Sequence, residues 1–490
     1  MEGSERRMFL RNSGLAITAA ALADLSVSNS ALTQAADTRA PIPSEGPKDL
    51  TRELAKFIVS TRFDDIPEAV RHEAKRTLLN WIGCAVGGCH EDTVSNVVAA
   101  LAPFSGPGQA TLFGRTERMD ILNAALVNGI SSHVLDFDDT HPETTIHPAA
   151  PVAPAIFALA EHRPVSGRDF LLALVIGVET ECRIGKAAAP AHYDAGWHIT
   201  GTAGVFGSVA AAGKLLGLNE QQMSWAIGLA AAQPVGLVEM FGSMAKSYHP
   251  GRSAQNGLTA TLLAGRGFTA SEQGLEARFG WFNVLANERK FAALTDNSWQ
   301  ILENTYKPFP CGLVLHPAVD GCLQLCERER TMPQVIVRVD VAVHPRVMQI
   351  AAIRQPKTGL EGKFSIYHAA AVALVEGVAG ERQFSDEVVL APTVIDLRRR
   401  VNATVDPNLA KDQARVSVLK QNGDVSSVFV EHAVGSLENP MSDRMIEDKF
   451  LSLVDGILSP AKARFVIDAC WRADGLANAA EIAASCVASG

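Results

Sequence analysis

The sequence predicts a mainly α protein: a large all-α helical domain that is completed by the C-terminus, plus a smaller α+β domain. Three observations lead to this prediction. Apolar residues recur with helical spacing over 48–303, strand-like alternation begins after residue 305, and helical spacing returns from residue 439. At 490 residues the chain is also too long for one core, so two domains are expected.

The N-terminal 47 residues are expected to lie outside both domains. Arg6 and Arg7 precede Phe-Leu-Arg and an apolar run at 15–25, a pattern typical of a twin-arginine export signal, which we assign to 1–35. Residues 36–47 are Pro-rich and indicate a linker. The pattern predicts a periplasmic protein, or a cytoplasmic one if the signal is not functional.

The first domain, predicted over 48–303, consists of helices that are marked by apolar faces and by Pro or Gly at their ends. Leu50, Leu54 and Ile58 share one face of the first helix. Pro148 begins a later helix, which places His147 at or next to its N-cap. The further predicted helices are 66–86, 115–130, 170–186, 203–216, 220–232 and 254–265.

The α+β domain is predicted over 304–437. Residues 334–343 alternate as a strand and 400–406 form a second. The turn signal Gln-Asn-Gly-Asp at 421–424 joins strands 414–419 and 425–432 into a hairpin. Two helical runs, 364–377 and 386–395, separate these strands, and 438–490 then return to the first domain.

Composition excludes several classes of function. The net charge of −9 comes without a basic stripe that would neutralise phosphates, which argues against nucleic acid as a partner. Apolar runs such as 170–178 are too short to span a bilayer. The eight cysteines form no Cys-x-x-Cys pair, so we expect mostly reduced, buried thiols. Phosphate-loop, dinucleotide and Gly-x-Ser-x-Gly motifs do not occur, so the chemistry is expected to need no cofactor.

The stretch 133–148 is unusually dense in acid/base groups. Its three aspartates and three histidines are Asp136, Asp138, Asp139, His133, His141 and His147. Oxygen and nitrogen ligands of this kind fit a metal site, while one His and one Asp fit proton exchange with a substrate. The same aspartates also fit a structural cap or turn. The residues alone leave these three interpretations open.

Further polar side chains stand beside apolar helices. His198 precedes a helix expected to begin near Gly201, where the positive helix end favours a neutral ring. Lys246 and Arg252 fall in a predicted loop and suit the binding of substrate carboxylates. The structural alternatives are a core histidine and a solvated lysine.

Two more motifs lie in or next to the α+β domain. Lys307 precedes Pro308 and Pro310 at the domain junction, and His316 follows them. Small-molecule sites often occur at such junctions. A stiff hinge between domains is the alternative. His368 lies at the start of a predicted helix, where a partly buried structural histidine is equally consistent.

Together, five ordered motifs resemble the MmgE/PrpD family, which includes 2-methylcitrate dehydratase, cis-aconitate decarboxylase and iminodisuccinate epimerase. The motifs are Asp136-Phe-Asp-Asp-Thr140, His147-Pro148, Gly196-Trp-His198-Ile-Thr200, Lys246 and Tyr306-Lys307-Pro-Phe-Pro. The resemblance covers about residues 48–485. It implies that the α+β domain is a lid, that the protein is a homodimer, and that metal-independent chemistry takes place in a cleft between the domains.

The resemblance also implies site residues around a polycarboxylate substrate, namely Asp136, Thr140, His147, His198, Lys246 and Lys307. The sequence departs from the family at Gly312, where decarboxylase-like members carry a histidine, and at His368, where many members carry a tyrosine. The segment from Asp136 to His147 is also one residue longer than the family pattern. The first departure weighs against a decarboxylase mechanism, and His316 or His368 would take over part of the missing histidine's role.

The expected function is metal-independent dehydration of a small hydroxy di- or tricarboxylic acid, resembling 2-methylcitrate dehydratase, by proton abstraction next to a carboxylate. The alternatives are epimerisation of a dicarboxylate and carboxylate binding without catalysis by an exported protein. The predicted catalytic residues are His147, His198, Asp136, Lys246 and Lys307, and the predicted substrate-binding residues are Thr140, Arg252, His316 and His368. No metal, cofactor or membrane partner is predicted.

Overall fold

The computed structural model describes residues 47–329 and 333–489. The predicted export signal and nearly all of the predicted linker lie outside these residues, so both stay predictions. The described residues belong to the unit Pro47–Gly490. This unit is mainly helical, which confirms the mainly α character of the predicted fold class.

The helices before the sheet form a layered bundle around a core rich in aromatic side chains. Trp81 stacks on Phe157 at a centroid distance of 5.4 Å, and Phe113 meets both rings edge-on. The helices are α1 (Leu50–Ser60), α2 (Glu68–Gly87), α3 (Asp92–Leu101), α4 (Ile121–Val134), α5 (Ala149–His162), α6 (Gly167–Ala188), α7 (Ala191–Asp194), α8 (Ile199–Leu216), α9 (Glu220–Ala231), α10 (Ala245–Gly265) and α11 (Trp281–Leu285).

Two short strand pairs lie among these helices, and one of them positions the site. β1 (Ala110–Thr111) pairs with β2 (Arg118–Met119), and β3 (Asp139–Thr140) pairs antiparallel with β4 (Thr305–Tyr306). In the second pair Asp139 faces Tyr306. This pairing brings the acid-rich stretch next to Lys307 despite a separation of more than 160 residues.

The α+β part has a hydrophobic core of its own, built on one face of a four-stranded sheet. Its strand order is β6-β5-β7-β8, with β5 parallel to β6 and the other pairs antiparallel. The elements are α12 (His316–Glu329), β5 (Ile336–Val343), α13 (Pro345–Ile350), α14 (Gly359–Gly362), α15 (Ile366–Glu376), α16 (Asp386–Val389), α17 (Pro392–Arg398), β6 (Val401–Val405), β7 (Ala414–Lys420) and β8 (Val425–Val430).

After the sheet the chain returns to the helical bundle. α18 (Asp443–Val454), α19 (Pro460–Trp471) and α20 (Ala480–Ser485) follow in order. Phe450, Val466 and Ile482 lie in the same buried cluster as Trp81 and Phe157. The C-terminal segment therefore completes the first hydrophobic core.

Three predicted elements differ from the structure for identifiable reasons. The helix predicted over 115–130 begins only at Ile121, because the preceding residues form β2 and the Asp120 side chain accepts from the first helical N–H groups. The helix predicted over 386–395 is divided by Pro392, which begins α17. Lys246, predicted in a loop, lies in the first turn of α10, which starts nine residues earlier than predicted.

One helix among the described residues, α8, is long and apolar enough to cross a membrane by length and composition. Within the folded protein 83% of that apolar window is buried, as in a core helix. All eight cysteines are free and seven are buried, in agreement with the predicted thiols.

Gly129→Ala is expected to lower the free energy of unfolding by about 1–3 kcal/mol, the cost of overpacking a close contact. An added Cβ at Gly129 would lie only 2.6 Å from the Gly251 Cα, where α4 crosses α10. Urea denaturation measures the change. Gly265→Ala, near the other end of α10, meets only a Leu218 methyl at 3.3 Å and serves as the matched control. Equal stability of both variants would contradict the tight crossing.

Candidate active site

A cavity of about 500 Å³ lies where the helical bundle meets the α+β part. It has the size of a small-molecule site. Six of the nine predicted site residues line it, namely Asp136, Thr140, His147, Lys246, Lys307 and His316. The cavity is therefore the candidate active site, and the chemistry of its inner end follows from the contacts of these side chains.

The Asp136 carboxylate is the centre of the inner end. Its Oδ1 lies 2.9 Å from the Lys246 Nζ and 2.5 Å from the Lys307 Nζ, and all three side chains are buried. Lys307 also donates to the Asp136 backbone carbonyl at 3.1 Å. Burial opposes ionisation of Asp136, but the two ammonium groups outweigh it and hold the pKa of this carboxyl well below its usual range. Two cations thus face the cavity with one shared counter-charge.

The two lysines differ in their proton affinity. Burial lowers the pKa of Lys246, and the nearby Lys307 ammonium lowers it further, while Asp136 only partly offsets these effects. For Lys307 burial is outweighed by the carboxylates of Asp136 and Asp138, which raise its pKa. Lys307 is therefore a permanent cation, and Lys246 is the more readily deprotonated of the pair.

The His147 ring is oriented with one nitrogen toward the protein. Its Nδ1 donates to the Asp139 backbone carbonyl at 2.8 Å, so the proton is on Nδ1 and the lone pair is on Nε2. Within the described residues Nε2 has no hydrogen-bond partner. Burial lowers the pKa of His147, and the lysines add to this shift. His147 is therefore a neutral ring whose free nitrogen can accept a proton.

His133 and Asp138 support His147 from behind. The His133 Nδ1 lies 2.6 Å from one Asp138 oxygen, and the other oxygen lies 3.4 Å from the His147 Nδ1. The two imidazole rings meet edge-on at 4.7 Å. Neither His133 nor Asp138 was among the predicted site residues. The signal that pointed to them was the density of acid/base groups between α4 and α5.

Lys449 is a further residue that sequence reasoning missed. It lies on α18, and its Nζ donates to the Phe137 carbonyl at 2.5 Å and to the Lys307 carbonyl at 2.9 Å. Burial lowers the pKa of this lysine to about 8. The C-terminal segment thus fixes the backbone on both sides of the Asp136–Lys307 pair. The sequence of α18 offered no sign of this contact.

His198 does not line the cavity, although it is predicted to be catalytic. It is the N-cap residue of α8, and its ring stacks behind His133 at 5.7 Å. Its Nδ1 lies 2.9 Å from the Nδ1 of His249. Burial and the adjacent imidazoles lower the pKa of His198 well below its usual range. Its place in the structure is that of a positioning residue behind the His133 ring.

Arg252 and His368 lie away from the cavity, contrary to their predicted role in substrate binding. Arg252 is six residues beyond Lys246 on α10, so its side chain points about 120° away from that of Lys246 around the helix axis. It donates a hydrogen bond to the side chain of Gln255. His368 is fully buried in the α+β core, where its Nε2 donates to the Gln383 carbonyl at 3.0 Å.

Thr140 and His316 do line the cavity, each with a defined hydrogen bond. The Thr140 hydroxyl lies 3.3 Å from the His147 Nδ1, at the edge of hydrogen-bond range. The His316 Nε2 donates to the Cys311 carbonyl at 3.3 Å, so its Nδ1 is an acceptor. Burial lowers the pKa of His316 to about 3, which keeps this ring neutral. Gly312 lines the cavity nearby and contributes no side chain.

Three groups of the described residues have the spacing of a metal site, and two of these groups include His147. The ligand atoms of His133, His147 and His198 lie within 4.8 Å of one another, as do those of Asp136, Asp138 and His147. In the second group the Asp136 oxygen already binds two ammonium groups, and these would repel a divalent cation. The lysines therefore already supply positive charge at the place where a cation would bind.

Comparison with known proteins matches this chain to one protein family over most of its length. The MmgE/PrpD N-terminal domain model matches residues 52–294, and the MmgE/PrpD C-terminal domain model matches residues 309–473. A protein named cis-aconitate decarboxylase from Aspergillus terreus is 27% identical over 476 residues, covering 90% of this chain and 96% of the relative. Proteins of the same name from Homo sapiens and Mus musculus are 27% and 25% identical, covering 84% and 82% of this chain and 89% and 86% of their own length. Since the two models together match most of the chain and cover both parts of the fold, the chain belongs to the MmgE/PrpD family.

Proposed function

We propose that this protein is a lyase that dehydrates a small hydroxy di- or tricarboxylic acid using its own side chains. The observation that carries the proposal is the neutral His147 with its free Nε2 in a cavity beside two lysines that share one carboxylate. A base next to concentrated positive charge suits removal of a proton from carbon beside a carboxylate. Membership of a family with carboxylate-acting relatives supports the same class of reaction.

The first half of the reaction is proton removal. The substrate carboxylate binds to Lys307 and Lys246, whose charges stabilise the negative charge that develops on the adjacent carbon and its carboxylate. The His147 Nε2 takes the carbon-bound proton, and the imidazolium that forms is stabilised by Asp138 at 3.4 Å from Nδ1. Because the Asp138 carboxylate is already next to His147 before the reaction begins, little reorganisation of the site is needed.

The second half is loss of the hydroxyl group. The electron pair of the broken C–H bond forms the C=C bond, the C–O bond breaks, and the departing oxygen takes a proton to leave as water. His316 cannot donate this proton because its only N–H is committed to the Cys311 carbonyl. Lys246, with its lowered pKa, is the donor that we assign. Reprotonation of Lys246 and deprotonation of His147 by solvent then restore the site.

Decarboxylation is the second candidate, favoured by the name that the relatives carry. It would use the same lysines to hold a carboxylate, with carbon dioxide leaving and a proton returned to carbon. Gly312 weighs against it, because no imidazole is present at this place in the lining. Epimerisation would use the same base. Its product is the inverted isomer of the substrate, which can be distinguished from the products of the other two reactions.

The discriminating experiment is incubation of the purified protein with a panel of hydroxy and unsaturated di- and tricarboxylic acids in heavy water, followed by NMR. Appearance of an alkene from a hydroxy acid supports dehydration. Release of carbon dioxide from an unsaturated acid, with no hydroxy acid converted to an alkene, overturns it in favour of decarboxylation. Deuterium exchange with inversion and no net elimination overturns it in favour of epimerisation. Binding without exchange or turnover would indicate a carboxylate-binding protein.

Lys246→Arg is expected to lower kcat about 100-fold, the lower end of the contribution of a general acid, because arginine keeps the charge but holds its proton. In wild type, kcat/KM should decrease at pH values below the pKa of His147, which is lowered from about 6.5. It should also decrease at pH values above the pKa of Lys246, which is lowered from about 10.4. The variant should lose only the alkaline limb. An unchanged alkaline limb in Lys246→Arg would assign the proton donor elsewhere.

A further inference from the structure

An aromatic wall extends from the lysine pair along the cavity. The Lys246 Nζ lies 5.2 Å from the ring centroids of both Phe241 and Phe364. These two rings are 5.3 Å apart, and Tyr193 follows at 6.5 Å from Phe241. All three side chains line the cavity. The space next to the inner carboxylate position is therefore bounded by ring faces and edges rather than by charges.

Gly312 widens the cavity beside this wall. An added Cβ there would come no closer than 3.5 Å to any neighbour, and the nearest ring atom, on Phe364, would lie at 3.7 Å. Its backbone, at φ −53° and ψ 129°, is open to any L-residue. A side chain would fit here without strain, so glycine at this position leaves room next to Phe364 for part of a ligand.

The charges of the lining do not suit a trianion. Four Lys or Arg side chains and five Asp or Glu side chains line the whole cavity. At the inner end Lys246 and Lys307 share Asp136. Arg346, beyond Tyr193, is bound to Asp194 at 2.5 Å and stacks on the tyrosine ring at 4.8 Å. The fourth cation of the lining, Lys411, is exposed. Three desolvated carboxylates would need counter-charges, and the three other cations already pair with carboxylates.

We infer that the site takes hydroxy dicarboxylates whose remaining substituent is a hydrocarbon or aryl group, in preference to tricarboxylates. The two carboxylates bind at the lysine end, and the substituent lies against Phe241 and Phe364 in the space beside Gly312. Contact with the aromatic rings buries a large apolar area and adds specific ring contacts, and both strengthen the binding of such a substituent. This inference rests on the proposed function and narrows its substrate class.

The test compares acids that share one core and differ in one group. 2-Benzylmalate, 2-butylmalate and citrate all carry the 2-hydroxybutanedioate core, and citrate has a carboxymethyl group in place of benzyl or butyl. Calorimetric titration and turnover are measured on the full chain. We expect 2-benzylmalate to bind and react with kcat/KM at least about tenfold above that of citrate, since a single methylene in an apolar pocket already gives about tenfold or more.

Gly312→His supplies the matched change in the lining. Its imidazole would occupy the space beside Phe364, so the benzyl-over-citrate preference should fall at least about tenfold, the discrimination expected for a filled apolar pocket. Gly475→His, at a position with open space around the added Cβ, controls for an extra histidine and should keep the preference.

The outcomes distinguish failure of the inferred substrate preference from failure of the proposed dehydratase function. Citrate bound or converted as well as 2-benzylmalate would overturn the inference and leave the dehydratase proposal standing. An unchanged preference in Gly312→His would also overturn it. If no acid of the series binds or reacts, the proposed function itself fails.

Discussion

His147→Ala is expected to lower kcat by about 10²–10⁴-fold, the contribution of a positioned general base. The ring is the one imidazole of the described cavity lining that combines a free Nε2 with a carboxylate behind it, at 3.4 Å from Asp138. Loss of the base removes the first proton transfer, so the variant should also lose deuterium exchange into substrate. Steady-state kinetics and NMR in heavy water measure the two effects.

A catalytic role of His147 can be separated from a structural one. Added imidazole can enter the space left in His147→Ala and should restore part of kcat in proportion to its unprotonated form. His162→Gln, at the C-terminal end of α5, the helix that begins just after His147, is the matched control and should keep wild-type kcat. Near-normal turnover in His147→Ala would move the base to another residue. Failure of imidazole rescue together with a lower melting temperature would assign His147 a structural role.

Asp136→Asn is expected to lower the free energy of unfolding by about 3–5 kcal/mol, the cost of leaving a buried charge without its partner. In wild type one Asp136 oxygen pairs with both Lys246 and Lys307, and the variant would leave two buried ammonium groups facing each other without this counter-charge. Activity should be lost as well, because the lysines lose their fixed positions. Urea denaturation and kinetics measure the two effects.

The backbone of Asp136 permits a clean comparison. Its φ of +53° is a left-handed conformation that Asn and Asp tolerate better than Ala, so Asp136→Ala should be less stable than Asp136→Asn by about 1 kcal/mol. Lys246→Met added to Asp136→Asn should recover stability, since it removes one of the repelling charges. No recovery in the double variant would mean that charge repulsion is not the cause.

The pH dependence gives an independent check of the same contact. The folded-state pKa of Asp136 is depressed, so its contribution is fully present above the unfolded pKa of about 3.9 and is lost as pH falls through the folded value. The stability difference between wild type and Asp136→Asn should therefore be constant near neutral pH and shrink below about pH 4. A difference that grows toward low pH would contradict the ion pair.

Much of the fold follows from local sequence pattern. Apolar spacing predicted the long helices α6 and α8, and the Asn-Gly turn predicted the β7–β8 hairpin, because both depend on neighbours within a few residues. Errors arose where tertiary pairing overrode local pattern. Residues 115–119 have helical spacing yet form part of β2 and the loop before it, since Arg118 and Met119 pair with β1.

The sequence by itself determined which chemistry is available: a cluster of aspartates and histidines within fifteen positions and lysines that suit carboxylates. The tertiary structure decided which of these groups meet. The β3–β4 pairing and the α4–α10 crossing bring Lys307 and Lys246 to one oxygen of Asp136, and α18 adds Lys449 beneath them. Helical rotation turns Arg252 away from the cavity. Periodicity fixes the face on which a side chain lies, but contacts between residues a hundred positions apart depend on how the helices and strands pack.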